Sequence, residues 1–411
     1  MTDLSTTRAM PRPRQAVIVA GGRGTRLGSL TEQTPKALVS VGGRPFIDWL
    51  LELLARKGFE HVLLLLGYRA EDIVTHCGDG SQWGLEITSL ISAPDDETGR
   101  RVLEAAAHIE DSFLFMYCDN LWPLPIDDMW ARFQELGRDA MITVYRNDDG
   151  YTRSNVRVGE DGTVLQYDPS RSAPDLAGVE IGYGIFPKSV LESLDGSNVP
   201  FQHVVLPRLI ADGRLSAYMT DHRYYSIGTP ERLPITEKYV TGSPAIILDR
   251  DGVLNEKPPR ATYVTSWAQW HWIPGALEAL AELQRAGHRV FVVSNQAGIG
   301  RGVMTERELE LIHERMFEEV TAAGGRIDGL YHCPHDWDEG CACRKPKPGM
   351  LFSVQREHHI DLTRTVFVGD DPRDAEAADA AGAQSFLVDR DVTLLDFVHT
   401  HLVRAGSEVV V

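Results

Sequence analysis

The sequence predicts an α/β protein of two domains, each built on an open and mainly parallel sheet. Three observations carry that reading. Short runs rich in β-branched residues alternate with amphipathic stretches along the chain, the pattern of strands separated by helices. The 411 residues exceed what one ordinary hydrophobic core holds together, so two or three domains are the starting expectation. A turn-rich segment, Thr241-Gly242-Ser243-Pro244, follows a helix-like stretch at 236–240 and separates two halves of the same style.

Residues 1–14 carry Arg8, Arg12 and Arg14 with Pro11 and Pro13, lack the apolar stretch of a secretory signal, and read as a disordered tail. The first domain, 15–240, is expected to hold strands at Ala16–Ala20, His61–Leu66 and Phe113–Tyr117 and a helix at Phe46–Lys57. Residues 241–244 form the linker. The second domain, 245–411, repeats the style with a strand at Ala245–Leu248, a helix at Gly275–Ala286 and a strand at Val290–Val293. A helix at Glu306–Ala322 and a strand at Thr365–Val368 follow. No hexapeptide repeat of the kind that builds a β-helix is present. Three apolar runs of the second half lead into residues able to do chemistry: Leu248 into Asp249, Val293 into Ser294, Gly369 into Asp370. Ligands of open parallel sheets bind outside the carboxyl ends of strands, so these side chains are expected in one crevice. The run Phe113–Tyr117, ending near Asp119, makes the same argument for the first half.

Composition narrows the function. Hydrophobic residues make up 43% and charged residues 24%, as in a folded globular protein. A formal net charge of −18 argues against nucleic acid as a partner but leaves room for small phosphorylated ligands, which need only a few cations. No apolar run approaches the ~20 residues of a membrane span, and no membrane partner is expected. Of five cysteines, Cys333, Cys341 and Cys343 crowd together, which suits metal binding in a reducing, cytoplasmic setting. A homo-oligomer is left open.

After the first strand come Gly21-Gly22-Arg23-Gly24-Thr25-Arg26-Leu27 and then Thr34-Pro35-Lys36-Ala37-Leu38. Glycines let backbone amides close on an anion, Arg26 can fork onto phosphate oxygens, and Lys36 adds a point charge. No Gly-Lys-Ser/Thr follows, which excludes a Walker loop. The two segments resemble the signature GGxGTRL…TPKAL of the sugar-1-phosphate nucleotidyltransferases. The resemblance implies a Rossmann-like, GT-A-like domain in which Gly21, Gly22, Gly24 and Thr25 hold the nucleotide. It also implies that Arg26 and Lys36 bind phosphates and that Asp119 carries Mg²⁺. Thr98, Gly99, Glu180 and Gly182 fall at positions that contact substrate in that family. Two departures stand out. The family usually has a second metal-binding aspartate where Ser226 stands, and Arg100 occupies a position where the family has glycine. An active transferase and a degenerate, ligand-sensing domain therefore both remain open.

In the second half Asp249-Arg250-Asp251-Gly252 puts two carboxylates on one side of the chain just past a strand. One can attack phosphorus while the other handles the leaving-group proton. Ser294-Asn295-Gln296, Arg344-Lys345-Pro346 and Gly369-Asp370-Asp371 complete the parts that phosphoryl transfer requires. The set resembles the haloacid-dehalogenase phosphatases. SNQAGIGRG at Ser294–Gly302 and CACRKPKPGM at Cys341–Met350 narrow the resemblance to the D-glycero-D-manno-heptose-1,7-bisphosphate and histidinol-phosphate phosphatases. The resemblance implies Asp249 as nucleophile, Asp251 as acid then base, Ser294 and Asn295 on the phosphoryl group, Lys345 as charge neutraliser and Arg344 on substrate. It further implies Mg²⁺ on Asp249, the Asp251 carbonyl and Asp370, with Asp371 or Asp374 orienting that site, and no cap domain. Cys333, His335, Cys341 and Cys343 are four soft or borderline ligands close together, the set for a structural tetrahedral Zn²⁺. The cluster of Trp267, Trp270, His271 and Trp272 reads as packing. Taken together, the two resemblances imply a bifunctional enzyme acting on a phosphorylated sugar and a nucleoside triphosphate. It would remove the 7-phosphate of a heptose 1,7-bisphosphate and then couple the 1-phosphate to GMP from GTP.

Overall fold

Apolar from Ala16 onward, the run Gln15–Ala20 forms a fully buried strand, β1, as a central strand covered on both faces requires. The computed structural model describes residues 10–401, and the chain divides into two units between Glu237 and Lys238. In the first unit β1 is joined by β2 (His61–Leu66), β3 (Glu86–Ile91), β4 (Ser112–Tyr117), β5 (Ala140–Tyr145), β6 (Val179–Pro187) and β7 (Leu215–Thr220). Their order in the sheet is β7-β5-β6-β4-β1-β2-β3. Strands β4, β1, β2 and β3 are mutually parallel, with Ala20 opposite Leu66 and Leu66 opposite Ile91, so their carboxyl ends open on the same edge. Only β6 runs against its neighbours. Its pairing with β5 shifts register between Glu180 and Gly184.

Helices α1 (Phe46–Arg56), α2 (Ala70–Cys77), α3 (Thr98–Glu104), α4 (Ile126–Leu136), α5 (Phe201–Ala211) and α6 (Leu233–Thr241) complete this unit and lead to the next. One core cluster joins Val17, Leu63 and Phe115 of the sheet to Phe201 and Val205 of α5. The Phe115 and Phe201 rings stack there at 4.7 Å. Each such side chain contributes roughly 1.5–3 kcal/mol through burial.

The second unit has one five-stranded sheet, parallel throughout, in the order β10-β9-β8-β11-β12. Its strands are β8 (Ala245–Leu248), β9 (Arg289–Asn295), β10 (Gly329–Cys333), β11 (Val366–Gly369) and β12 (Gln384–Leu387). Helices α7 (Ala276–Arg285), α8 (Glu306–Ala322), α9 (Gly349–His358), α10 (Pro372–Ala381) and α11 (Leu394–His401) accompany it. Thr305 begins α8 with a capping box shared with Glu308. Between β8 and α7 the described residues form loops and one short turn of helix at Trp267–Gln269, with no inserted cap. Among the described residues no helix is long and apolar enough to cross a membrane.

Two expectations change. Pro11–Arg14 are not a loose tail: Ser112 donates to the Pro11 carbonyl at 2.7 Å, and Arg12 pairs with Asp127 at 3.0 Å. Residues 1–9 of that expected tail lie outside the described residues, as do 402–411 at the other end. The expected linker 241–244 begins inside α6, and the division between units falls earlier, within the same helix.

Candidate active sites

In the first unit the loop leaving β1 turns on two glycines in the left-handed region, Gly24 at φ 66° and Gly28 at φ 58°, a conformation that costs other residues far more. Thr31 donates its hydroxyl to the carbonyls of both, at 3.0 and 3.3 Å. Gly22 is open, with no atom near the space a side chain would fill. Arg26 is exposed and makes no ion pair among the described residues, so its fork is free for a ligand. Lys36 lies on the one-turn helix Lys36–Leu38 that follows Pro35, and its ammonium pairs with Asp119, just past β4. Ser226 sits opposite Asn120 in a short antiparallel bridge, which brings it beside Asp119. A methyl group on Gly228 would lie 3.2 Å from Ser226 Oγ, 3.8 Å from Asp119 Oδ2 and 3.9 Å from Lys36 Nζ, so these three polar groups ring one bare α-carbon.

Thr98 and Gly99 serve first to knit α3 to α5. The Thr98 hydroxyl accepts from Phe201 N at 2.7 Å, and Gly99 N donates to the Val199 carbonyl at 3.0 Å. Beside them Tyr117 donates to Gln202 at 2.9 Å, and Gln202 donates to Glu180 at 2.7 Å. The Gly182 amide donates to the other Glu180 oxygen. Burial pushes the Glu180 carboxyl up to about 7 against these two donors. Gly182, at φ 84°, has no room for a side chain, since a methyl there would meet the Tyr117 ring at 2.8 Å. Arg100, which the sequence raised as an obstruction, turns to the surface and pairs with Asp96 at 3.5 Å and Glu104 at 3.1 Å. The cation that does enter the interior is its neighbour Arg101, which the motif reading passed over.

In the second unit the carboxyl ends of β8, β9 and β11 do converge. Asp249 is almost fully buried, and its Oδ1 accepts from Arg250 N at 2.7 Å and from Lys345 Nζ at 2.8 Å. Its Oδ2 has no hydrogen-bond partner among the described residues, which leaves it available for attack. Burial pushes this carboxyl up, and the Lys345 ammonium opposes that. Lys345 also holds Asp374 at 2.7 Å, and Asp374 Oδ2 accepts the backbone amides of Asp370 and Asp371, both at 3.2 Å. Asp374 is thus the carboxylate tied into this site. Asp371 caps α10 and takes Arg373 in a two-point grip at 2.8 Å.

Asp251 receives Arg250 at 2.9 and 3.1 Å, Asn255 at 2.8 Å and Gln296 at 2.9 Å. Burial works against its charged form, but the Arg250 charge and these amide donors prevail and hold Asp251 below the ordinary carboxylate range. Arg250 is itself fully buried, against His313 at 3.2 Å and over the Trp270 ring at 5.7 Å. The tryptophan cluster therefore packs behind the Asp251 support. Ser294 accepts from Gln296 at 2.7 Å. The Asn295 side chain accepts from Lys345 N at 3.0 Å and donates to Lys345 O at 3.1 Å, clamping that residue's backbone while it lines the cleft.

Asp249, Asp370 and Asp374 bring carboxylate oxygens within 4.8 Å of one another, a hard oxygen set that fits Mg²⁺. A methyl on Gly252, at φ 100°, would stand 2.1 Å from Asp370 Oδ2, so the Asp370 carboxylate presses on the turn that carries Asp251. Lys257, which no motif signalled, rests on Asp370 at 2.8 Å and Asp371 at 3.4 Å. Asp249, Asp251, Lys257 and Asp374 line a cleft of about 810 Å³, with Arg344, Arg260, Tyr263 and Trp337 on its walls. Arg344 Nη1 is buried there with no hydrogen-bond partner among the described residues, the state of a donor awaiting an anion.

Next to the cleft Cys333, His335, Cys341 and Cys343 also gather within 4.8 Å. The sulfur pairs Cys333–Cys341 and Cys343–Cys341 lie at 3.6 and 3.5 Å, and His335 Nδ1 is 3.5 and 3.2 Å from Cys333 and Cys343. A tetrahedron of thiolates about zinc has edges of about 3.8 Å, so the donor set fits that ion after a small expansion. Lys347 donates to the carbonyls of Gly340 and Cys341, at 2.7 and 2.9 Å, and braces the loop.

Comparison with known proteins agrees with this division. A nucleotidyl transferase family profile matches residues 15–240, and a HAD-hydrolase-like profile matches 342–406. The D-glycero-beta-D-manno-heptose-1,7-bisphosphate 7-phosphatase of Pseudomonas putida is 46% identical over 143 residues, covering 35% of this chain and 81% of that protein. The crystal structure of a D,D-heptose 1,7-bisphosphate phosphatase from B. bronchiseptica with magnesium and phosphate is 41% identical. It covers 35% of this chain and 79% of that one, with a TM-score of 0.34. HddC from Yersinia pseudotuberculosis is 24% identical, with a TM-score of 0.49, over 55% of this chain and 99% of that one. Fold and site thus define an enzyme of two parts, a nucleotidyltransferase followed by a phosphatase of the haloacid-dehalogenase type. The chain belongs to the nucleotidyl transferase family through residues 15–240 and to the D-glycero-beta-D-manno-heptose-1,7-bisphosphate 7-phosphatases through its second domain.

Proposed function

We propose that the chain performs two consecutive steps of sugar-nucleotide formation in the cytoplasm. The second domain removes the 7-phosphate of D-glycero-D-manno-heptose 1,7-bisphosphate. The first domain then transfers GMP from GTP to the heptose 1-phosphate and releases pyrophosphate. The observation that carries this reading is Asp249, with one oxygen fixed by Lys345 and Arg250 N and the other unpartnered in a cleft that Arg344 also lines. In the phosphatase Asp249 Oδ2 attacks phosphorus and the sugar oxygen leaves, taking a proton from Asp251. Water then cleaves the aspartyl phosphate with Asp251 as base, the half of its role that its three donors favour. Asp249, the Asp251 carbonyl and Asp370 would hold Mg²⁺, with Asp374 in support. When bound there, the ion neutralises charge on the transferring phosphoryl group. Zinc on Cys333, His335, Cys341 and Cys343 is structural, a closed set of four ligands.

In the transferase the backbone of Gly21, Gly22, Gly24 and Thr25 and the cations Arg26 and Lys36 hold the triphosphate, while Thr98, Gly99, Glu180 and Gly182 form the sugar side. Asp119 would carry Mg²⁺ together with substrate phosphates, an arrangement that one carboxylate can sustain. The sugar phosphate oxygen attacks the α-phosphorus in line and pyrophosphate departs. Ser226 favours a second reading, a first domain that binds nucleotide sugars without catalysis. The surface position of Arg100 removes the other objection to activity.

Incubation of the intact protein with the heptose 1,7-bisphosphate, Mg²⁺ and each nucleoside triphosphate in turn tests both readings. Phosphate should appear with every nucleotide, and nucleotide-heptose and pyrophosphate should appear with GTP. Phosphate without nucleotide sugar from any triphosphate and either anomer would favour the second reading. Histidinol phosphate cleaved in place of the heptose bisphosphate would overturn the substrate assignment.

A further inference from the structure

Arg101 is only 3% exposed. Its guanidinium Nε donates to the Asp96 carbonyl at 2.9 Å. Nη1 donates to the Leu66 carbonyl at 2.6 Å and to Ser92 Oγ at 2.5 Å. Nη2 reaches the carbonyls of Ala93 at 2.9 Å, Pro94 at 3.2 Å and Gly21 at 3.4 Å. The five N–H groups of a guanidinium are thus spread over acceptors that stand just past the carboxyl ends of β1, β2 and β3. Those strands are adjacent and parallel, and ligands of such sheets lodge at that edge. One of the three exits is the glycine loop itself.

The bonds go to neutral oxygens alone. The carboxylates of Asp96 and Glu104 pair with Arg100 instead, and together with Glu97 they act on Arg101 only through space. A buried cation with no carboxylate in hydrogen-bond contact is costly, and carbonyl dipoles and the more distant carboxylates only offset part of that. The packing leaves no slack, since a methyl on Gly21 or Gly67 would stand 2.3 or 2.4 Å from guanidinium atoms. A positive charge is therefore built in directly behind the loop that meets polyanions, and the same side chain fixes that loop to the neighbouring strand exits.

We propose that Arg101 is a positioning residue of the nucleotide subsite, clamping three strand exits and presenting a buried positive charge to the nucleoside triphosphate from beneath the glycine loop. The proposal rests on the transferase reading above. Its test compares the full-length protein with Arg101→Gln, Arg101→Lys and Gly67→Ala, the last of which displaces the guanidinium without touching its charge. Calorimetric titration with GTP, ATP, CTP and UTP in Mg²⁺ gives Kd, and steady-state transfer gives KM for the sugar 1-phosphate. Thermal unfolding followed by circular dichroism reports whether the first unit of each variant is folded, and phosphate release reports the separate second unit. Arg101→Gln should raise the triphosphate Kd at least about tenfold while the sugar-phosphate KM stays within about twofold. Gly67→Ala should move Kd in the same direction, and Arg101→Lys should fall between it and wild type. A folded Arg101→Gln protein with unchanged Kd, or an equal rise in both constants, overturns the proposal. If Arg101→Gln does not fold, unchanged Kd in both other variants overturns it as well. A wild-type protein that releases phosphate yet binds no triphosphate defeats the transferase reading instead.

Discussion

Ser226 spends its hydroxyl on the Gly228 amide at 3.0 Å while lying beside Asp119 and Lys36. A carboxylate in its place could accept the same amide and add a second hard oxygen next to Asp119. Ser226→Asp should therefore lower the Mg²⁺ concentration for half-maximal transfer by on the order of threefold or more, measured by pyrophosphate release. No change, or loss of transfer, would mean that Lys36 and substrate phosphates already meet the charge requirement there. The motifs pointed to Asp249, Asp251 and Asp370 because each follows the end of an apolar strand, and to Lys345 only through the string Arg344-Lys345-Pro346. They could not locate Arg101, Lys257 or Gln202, whose roles depend on which carbonyl or carboxylate the fold brings opposite them. They also missed a second use of Asn295, which clamps the Lys345 backbone at 3.0 Å while lining the cleft.

At the scale of elements, the loop 333–343 joins the end of β10 to the two cations of the phosphatase. Cys343 is followed directly by Arg344 and Lys345, so whatever fixes the cysteines fixes the position of the ammonium on Asp249. Cys341→Ser should reduce zinc from about one ion per chain and cut phosphate release at least about tenfold, with atomic absorption and a phosphate assay as readouts. Full activity in zinc-free wild-type protein would reduce the cluster to packing. Strands with long apolar runs, such as His61–Leu66, were legible to the residue. β10 was not, because Gly329-Leu330-Tyr331-His332-Cys333 is short and only partly buried, and its pairing with β9 fixes it more than its own sequence does. β6 was reached only through the family resemblance at Glu180–Tyr183, since its pairing with β5 shifts register between Glu180 and Gly184.

Over the whole molecule, each unit has its own sheet and its own hydrophobic core, so the two activities should separate by mutation. Asp249→Asn should lower phosphate release at least about a thousandfold while transfer to supplied heptose 1-phosphate stays within about twofold. Loss of both in a folded variant would refute that independence. The continuity of α6 from one unit into the next has a consequence for supply and demand. Because one polypeptide carries both centres, every round of translation yields them in equal number, and no change in gene expression can alter their ratio. How much monophosphate stands between the two steps is then set by the turnover of each domain alone, which makes the slower domain, and not its abundance, the point where natural selection can act on flux.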